Sequence, residues 1–338
     1  MSTPLLSPSV LAHHYARDNF ELFIELAFGV LEPGSEFHAG WYLDAMAAAL
    51  MDVERGDCRR LLITIPPRHL KSQIASVMFP AWVLGRDPSQ KFICVSYSQD
   101  LSAVFSRKFR TLMTSDFYRC VFPQTALSIT KAVENDVQTL QGGYRLSTSL
   151  GGTVTGIGAD YILIDDLMKA QDASFPEARL RAKQFVDETL LSRLNNKATG
   201  RIVSIQQRLH EDDIVAHFKE KGTFRELEFP AIAIRDEVIP LPHGGMHSRR
   251  IGDVLSPKRE PMAVLDQYRR ESGNRVFQAQ WQQDPTPADS PYIDFGKIQR
   301  FDEIPPRHLL QRVVQSWDTA ASDASGADYS VGTTWGPG

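Results

Sequence analysis

Short apolar runs recur along the chain, and stretches in which apolar residues return every three or four positions separate them. LLITI (61–65), FICVS (92–96), YILID (161–165) and RIVSI (201–205) are too short for helices and show no clean polar alternation, so each predicts a strand buried on both faces. Leu101, Val104, Phe105, Phe109 and Leu112 keep helical spacing between two of them. Upstream, Leu22, Phe23, Leu26 and then Leu43, Met46, Leu50 do the same, and residues 1–60 predict mostly helix. Ser174-Phe175-Pro176-Glu177 reads as a capping box opening a helix that runs to about Leu194. Another helix starts near Glu211 and ends with Lys219, Lys221 and Gly222, which suit the dipole and a C-cap. Strands alternating with helices imply a mainly parallel sheet covered on both faces, and such sheets bind ligands at the carboxyl ends of their strands.

The texture changes after Phe229. Residues 230–260 carry Pro230, Pro240, Pro242, Gly244, Gly245 and the pair Arg249-Arg250, and read as irregular connecting structure. A helical piece follows at about 262–282, then a linker, DPTPADSP (284–291). From Val313 two strand-like stretches, VVQSWDTA and YSVGTTW, flank a polar loop and predict a hairpin. There is no internal repeat and no low-complexity tract.

Composition narrows the class. With 42% apolar residues the chain can bury a core. A formal net charge of −4 argues against a surface coated in positive charge but leaves room for a local basic track. The three cysteines, Cys58, Cys94 and Cys120, form neither a disulfide framework nor a zinc ribbon, which fits a reducing compartment. The nine histidines lack zinc-ligand spacing. MSTPLLSPSV lacks the charged and apolar regions of a signal peptide, and no apolar run approaches a membrane span, so no membrane is expected.

Candidate chemistry falls at four strand ends. LLITIPPRHLKSQIA (61–75) has the layout of a phosphate-binding loop, with Lys71-Ser72 opening a helix, yet Ile65 and Leu70 stand where the pattern has glycines. Pro66 and Pro67 supply no N–H, so the phosphate donors would be Arg68, His69, Leu70, Lys71 and Ser72. Lys71 would contact the β- and γ-phosphates, Ser72 would ligate Mg2+, and Arg68 would add charge near the γ-phosphate. Taken alone, the stretch fits a plain strand-to-helix turn equally well. YILIDD delivers Asp165 and then Asp166 at a strand end, a pair able to hold a nucleotide's Mg2+ and to activate the attacking water; a helix cap after a strand is the plainer alternative. GGTVTGIGAD (151–160) allows tight turns or a close backbone approach, and by itself is a flexible loop. Finally, Gln206-Gln207-Arg208 ends the fourth strand, where polar groups sense a γ-phosphate or simply turn the chain.

PPRHLKS, FICVSYSQDLS, GGTVTGIGADYILIDD, QRLHEDD, FQAQWQQDP and QSWDTA with DYSVGTTW occur in one order, and together they resemble the large terminase subunit of tailed bacteriophages from about Phe37 to Trp335. The resemblance implies an α/β fold: a P-loop (ASCE-type) NTPase with a mainly parallel sheet between helices, followed by a linker and the first β-hairpin of an RNase H-like domain. The divisions expected are an N-terminal helical region (1–60), an ATPase core (61–230), a connecting subdomain (231–291) and the start of a nuclease domain (292–338). Such a subunit hydrolyses ATP with Mg2+ to drive double-stranded DNA into a procapsid. Its expected partners are DNA, the small terminase subunit, the portal protein and further copies of itself in a ring, in the cytoplasm of a bacterial host.

By the resemblance, Arg68, His69, Leu70, Lys71 and Ser72 form the phosphate loop, with Arg68 also catalytic. Asp165 is the Mg2+ carboxylate beside Ser72, and Asp166 the catalytic one. Gln207, Arg208 and His210 lie in the segment coupling hydrolysis to movement, with Gln207 and Arg208 beside the nucleotide. Asp318 resembles the first nuclease ligand for Mg2+ or Mn2+, and Asp328 is not clearly a ligand. The remaining nuclease ligands come from strands beyond Gly338, so this chain is expected to hydrolyse ATP but not to cut DNA. The competing readings are a helicase-like DNA-stimulated ATPase, which leaves the final hairpin unexplained, and a decayed, non-functional prophage fragment.

Overall fold

The period-two alternation hidden inside each apolar run decides the architecture. In the structure, a computed structural model that describes residues 8–128, 135–285, 306, 312–318 and 331–335, successive strand residues feed two separate cores. Leu61 and Ile63, Phe92 and Cys94, Tyr161 and Leu163, and Val203 and Ile205 enter one core. Leu62, Ile93, Val95, Ile162, Ile164 and Ile202 enter the other. A strand buried on both faces needs apolar residues throughout, which is why these runs are continuous.

The strands are β1 (Arg60–Thr64), β2 (Lys91–Ser96), β3 (Asp136–Gln138), β4 (Tyr144–Ser149), β5 (Tyr161–Asp165), β6 (Arg201–Gln206) and β7 (Arg225–Glu228). They form one sheet in the order β3-β4-β2-β5-β6-β1-β7. Every neighbouring pair is parallel except β3 with β4. The four expected strands are present. β3, β4 and β7 were not foreseen, for a visible reason. The buried residues of β4 are Arg145, Ser147 and Thr148, so its inward positions are polar, and β7 is an edge strand with a largely exposed first half.

One face carries α1 (Pro8–Tyr15), α2 (Phe20–Leu31), α3 (Trp41–Arg55), α4, α5 (Gln99–Thr114) and α6 (Asp116–Val121). The α4 helix starts as Lys71–Gln73, is π-wound over Ile74–Met78 and resumes as Phe79–Arg86. Phe23, Leu43, Met46 and Leu50 are buried with the sheet, so the N-terminal helices share its core. The other face carries α7 (Pro176–Gln184), continued by a π turn (Phe185–Leu190), and α8 (Ile214–Lys221).

Two helix starts differ from expectation. The cap of α7 is Phe175 with no side-chain bond, not Ser174. Pro176 forces the residue before it out of the helical region, so the boundary falls on Phe175, extended at φ −90°, ψ 117°. The next helix begins at Ile214 rather than near Glu211, because Asp213 accepts the N–H groups of Val215 and Ala216 at 3.0 and 3.1 Å.

The stretch expected to be irregular contains an antiparallel hairpin, β8 (Glu237–Pro240) with β9 (Met246–Arg249). Arg249 is not a surface cation: it is 1% exposed and donates to the Pro230 carbonyl at 2.6 Å. Beyond it lies α9 (Met262–Ser272), which stops at Gly273 (φ 83°); the helical piece then continues as Asn274–Val276 and a π turn, Phe277–Trp281. The chain divides into two compact units, Met1–Ala288 and Asp289–Gly338. In the second, β10 (Val314–Asp318) pairs antiparallel with β11 (Val331–Trp335), the expected hairpin. Most of the linker 284–291 lies outside the described residues. Among the described residues, no helix is long and apolar enough to cross a membrane.

Asp213 both caps α8 and pairs with the buried Arg208 at 3.0 Å. Asp213→Ala removes the cap and leaves a buried cation without its partner, a loss of roughly 3 kcal/mol or more. Denaturant unfolding of the variant should show a lower midpoint at unchanged slope. A loss under about 1 kcal/mol would mean that solvent reaches Arg208.

Candidate nucleotide site

The phosphate-loop sequence leaves β1 through Ile65, Pro66 and Pro67 and enters α4 at Lys71. Without glycines it still takes the backbone shape glycines usually supply: Arg68 has φ 64° and Leu70 φ 59°. Three of the five non-glycine residues with positive φ among the described residues are Arg68, Leu70 and Asp166, so backbone strain gathers here. Side chains hold the strained turn in place. His69 is 1% exposed, sits edge-on to Tyr42 at 5.3 Å, and has Nδ1 2.9 Å from the Pro67 carbonyl. Arg259, between β9 and α9, donates to the Arg68 carbonyl, places Nη2 3.1 Å from the His69 ring nitrogens, and pairs with Glu260 at 2.9 Å. Burial, reinforced by the Arg259 charge, pushes His69 down to about 4, so its ring is neutral near neutrality. The N–H groups of Arg68, His69 and Leu70 donate to no backbone carbonyl among the described residues. Free N–H groups at the start of a helix are the kind of donor set that suits an anion.

The two acids meet this loop at the carboxyl end of the sheet. Asp165 ends β5, between β2 and β6. Its Oδ1 accepts the Ser72 hydroxyl at 2.8 Å and its Oδ2 the Ser76 hydroxyl at 3.0 Å. Asp166, at φ 39°, turns its Oδ1 toward Lys71 Nζ at 2.9 Å and the Gln207 N–H at 2.9 Å. Gln206 braces the next residue, its Oε1 accepting the Leu167 N–H at 3.1 Å and its Nε2 donating to Ile164 O at 3.1 Å. Burial and then the neighbouring Asp166 raise Asp165 to about 7, against the opposing pull of Lys71 and the two hydroxyls.

Lys71, Ser72, Asp165 and Asp166 are thus brought together, with Gln207 joined through its backbone. His69 points its ring into the core and offers the site only its N–H. Arg208 is turned toward Asp213, 8% exposed, and its guanidinium does not join the Lys71–Asp166 cluster. The His210 ring accepts the Asp212 N–H at 3.0 Å. Within the glycine loop, Gly152 lies against Thr148 and the Ser149 carbonyl, where a Cβ would collide. Asp318 ends β10 in the second unit, and its side chain, with Asp323 and Asp328, lies outside the described residues. Several basic residues are engaged within the chain: Lys108 with Glu32, Arg179 and Lys183 with Asp212, and Arg269 stacked 4.4 Å over Phe277. Sequence reading missed Ser76, Arg259 and Glu260. Only the four-residue spacing of Ser76 from Ser72 was there to be read.

Among the described residues no group of three or more His, Cys, Asp or Glu side chains is placed to hold a metal ion. Asp165, Asp166 and the Ser72 hydroxyl offer instead a small oxygen set, the kind Mg2+ accepts when it keeps water and phosphate ligands. Burial and then the Asp166 charge raise Asp165, and a divalent cation would offset both.

In metal-free buffer Asp165 should act on stability in a defined direction. Its folded value lies above that of an unfolded aspartate, so the folded state binds the proton more tightly and stability falls as pH rises from about 4 to about 7. Asp165→Asn should therefore be more stable than the parent at pH 8, with the advantage gone by pH 4. A difference independent of pH in chemical unfolding would contradict this assignment.

No protein-family profile matches the chain, and no curated protein matches it. Among solved structures, the chain is similar to the large terminase of bacteriophage HK97, with a TM-score of 0.50 and 13% identity over 79% of this chain. It spans 55% of that protein's length. It is also similar to a mutant of the large terminase ATPase domain of Thermus phage P74-26, with a TM-score of 0.49 and 11% identity, covering 77% of this chain and 97% of that one. At such identities the likeness bears on architecture alone: the seven-stranded, mainly parallel sheet and its flanking helices share their fold with part of the HK97 large terminase.

Proposed function

We propose that this chain carries the ATPase of a double-stranded-DNA packaging motor of the large-terminase type. The observation that supports it most is the convergence of Lys71-Ser72 and Asp165-Asp166, bonded in pairs at 2.9 and 2.8 Å where two strands end. The backbone N–H groups of residues 68–70 and the Lys71 ammonium receive the polyphosphate. Ser72 and Asp165 hold Mg2+, which when bound offsets phosphate charge. Lys71 pairs with Asp166 at 2.9 Å. Phosphates draw the lysine charge to themselves, and the Asp166 carboxylate is then free to orient a water and take its proton. The Gln207 N–H keeps that carboxylate aimed while the lysine leaves. Arg68, exposed at the tip of the loop, adds charge near the γ-phosphate. On this reading Gln207 and Arg208 carry the state of the site to the segment after β6, Asp318 begins a nuclease metal site, and the partners are DNA, a small terminase subunit, a portal and further copies of the chain, in the cytoplasm of a bacterial host.

Calorimetric titration with millimolar ATP and Mg2+ should show binding, and Lys71→Ala should abolish both binding and turnover. Asp166→Asn should lower kcat by at least about a hundredfold with a far smaller change in affinity, because it removes proton transfer and leaves the cradle. No detectable binding by the parent protein would end this reading. DNA binding should be indifferent to sequence and should weaken steeply with salt as phosphate contacts displace counterions. Titrating unrelated duplexes at two salt concentrations tests it, and a strong preference for one duplex would point to a sequence-specific binding module instead.

A further inference from the structure

Ser76 belongs to no motif, yet it touches the central acid. Asp165 is held at both oxygens by hydroxyls one helical turn apart, Ser72 on Oδ1 at 2.8 Å and Ser76 on Oδ2 at 3.0 Å. Four residues beyond Ser76 stands Pro80, which has no N–H, so the Ser76 carbonyl cannot complete an α-helical bond. The helix is π-wound here, over Ile74–Met78. Arg145 of β4 fills the vacant acceptor, donating Nε at 2.9 Å and Nη2 at 2.7 Å to the Ser76 carbonyl. Its Nη1 donates to the Ser147 hydroxyl, and its guanidinium lies 5.1 Å from the centre of the Phe109 ring. Arg145 is 1% exposed, and these bonds go to a carbonyl and a hydroxyl rather than to a carboxylate. Burying a full charge against a carbonyl, a hydroxyl and a ring is costly, and the carbonyl it satisfies belongs to the residue that binds Asp165.

We infer that Ser76 and Arg145 are positioning residues for Asp165. Arg145 fixes the π turn, the turn aims the Ser76 hydroxyl, and that hydroxyl anchors Oδ2 so that Oδ1 stays with Ser72 beside the phosphate loop. Neither residue touches nucleotide or metal. Their effect is on how well a divalent cation joins the bound nucleotide, so the inference rests on the nucleotide-binding reading above.

The test is ADP binding to the full chain by calorimetry, in EDTA and across a Mg2+ series, for the parent, Ser76→Ala, Ser76→Thr and Arg145→Lys. Far-ultraviolet circular dichroism checks that each variant is folded. Ser76→Ala should bind ADP like the parent in EDTA, while the Mg2+ concentration needed for half of the metal-dependent gain rises about tenfold, as for other residues that orient metal ligands. Ser76→Thr, which keeps the hydroxyl, should restore most of that loss. Arg145→Lys, which keeps the charge but loses the paired donors, should shift the Mg2+ requirement in the same direction. An unchanged Mg2+ requirement in folded Ser76→Ala overturns the inference. So does an equal loss of ADP affinity with and without Mg2+, which marks a purely structural role. If Ser76→Ala does not fold, Arg145→Lys and Ser76→Thr decide: a parent-like Mg2+ requirement in both overturns it, and a raised requirement in Arg145→Lys alone supports it. A parent that binds no ADP in either condition overturns the nucleotide reading itself, and this inference with it.

Discussion

A carboxylate that is 2% exposed at the end of a central strand must be surrounded by donors, and that requirement organises everything near Asp165. Ser72 and Ser76 supply hydroxyls from α4, and Lys71 supplies charge through Asp166. The start of α4 is thereby fixed against the end of β5, although the two are far apart in sequence. Since β5 lies between β2 and β6, a shift of the acid would disturb the middle of the sheet rather than its edge.

The phosphate-loop sequence shows how a turn can do without its usual glycines. Arg68 and Leu70 adopt left-handed conformations that cost roughly 1–2 kcal/mol each in an ordinary residue. The surroundings over-determine the shape: His69 is wedged between Tyr42 and Arg259, and Leu70 packs on the core. Side-chain packing replaces backbone permissiveness, at the cost of tying the loop to the segment around Arg259 and Glu260. Whatever moves that segment acts on the loop directly, through the Arg259 bond to the Arg68 carbonyl.

Buried arginines recur as structural pins. Arg145 holds the π turn of α4, Arg208 pairs with the cap of α8, and Arg249 ties its hairpin to Pro230. Each satisfies backbone carbonyls or a buried acid where an apolar side chain would leave a polar group unmade. They also explain why a count of cations along the sequence overstates the positive surface: these three arginines face inward.

The sequence by itself determined the strands that pass through the middle of the sheet, because a strand buried on both faces has no choice but to be apolar throughout. LLITI, FICVS, YILID and RIVSI could be read directly, and so could the acids at the end of the third. Helical spacing likewise revealed α2, α3 and α5, where one face meets a core. Tertiary structure alone decided the rest. β4 escaped notice because its buried side chains are Arg145, Ser147 and Thr148, which are tolerated inside only through partners from other elements. β7 is an edge strand and needs little apolar pattern. Whether a turn with Leu70 in place of a glycine takes the left-handed shape could not be settled by a motif written in glycines. That depended on Tyr42 and Arg259, which reach the loop only after the chain has folded. The same holds for Ser76 and for the direction in which Arg208 points, since hydrogen-bond partners distant in sequence leave no periodic trace in it.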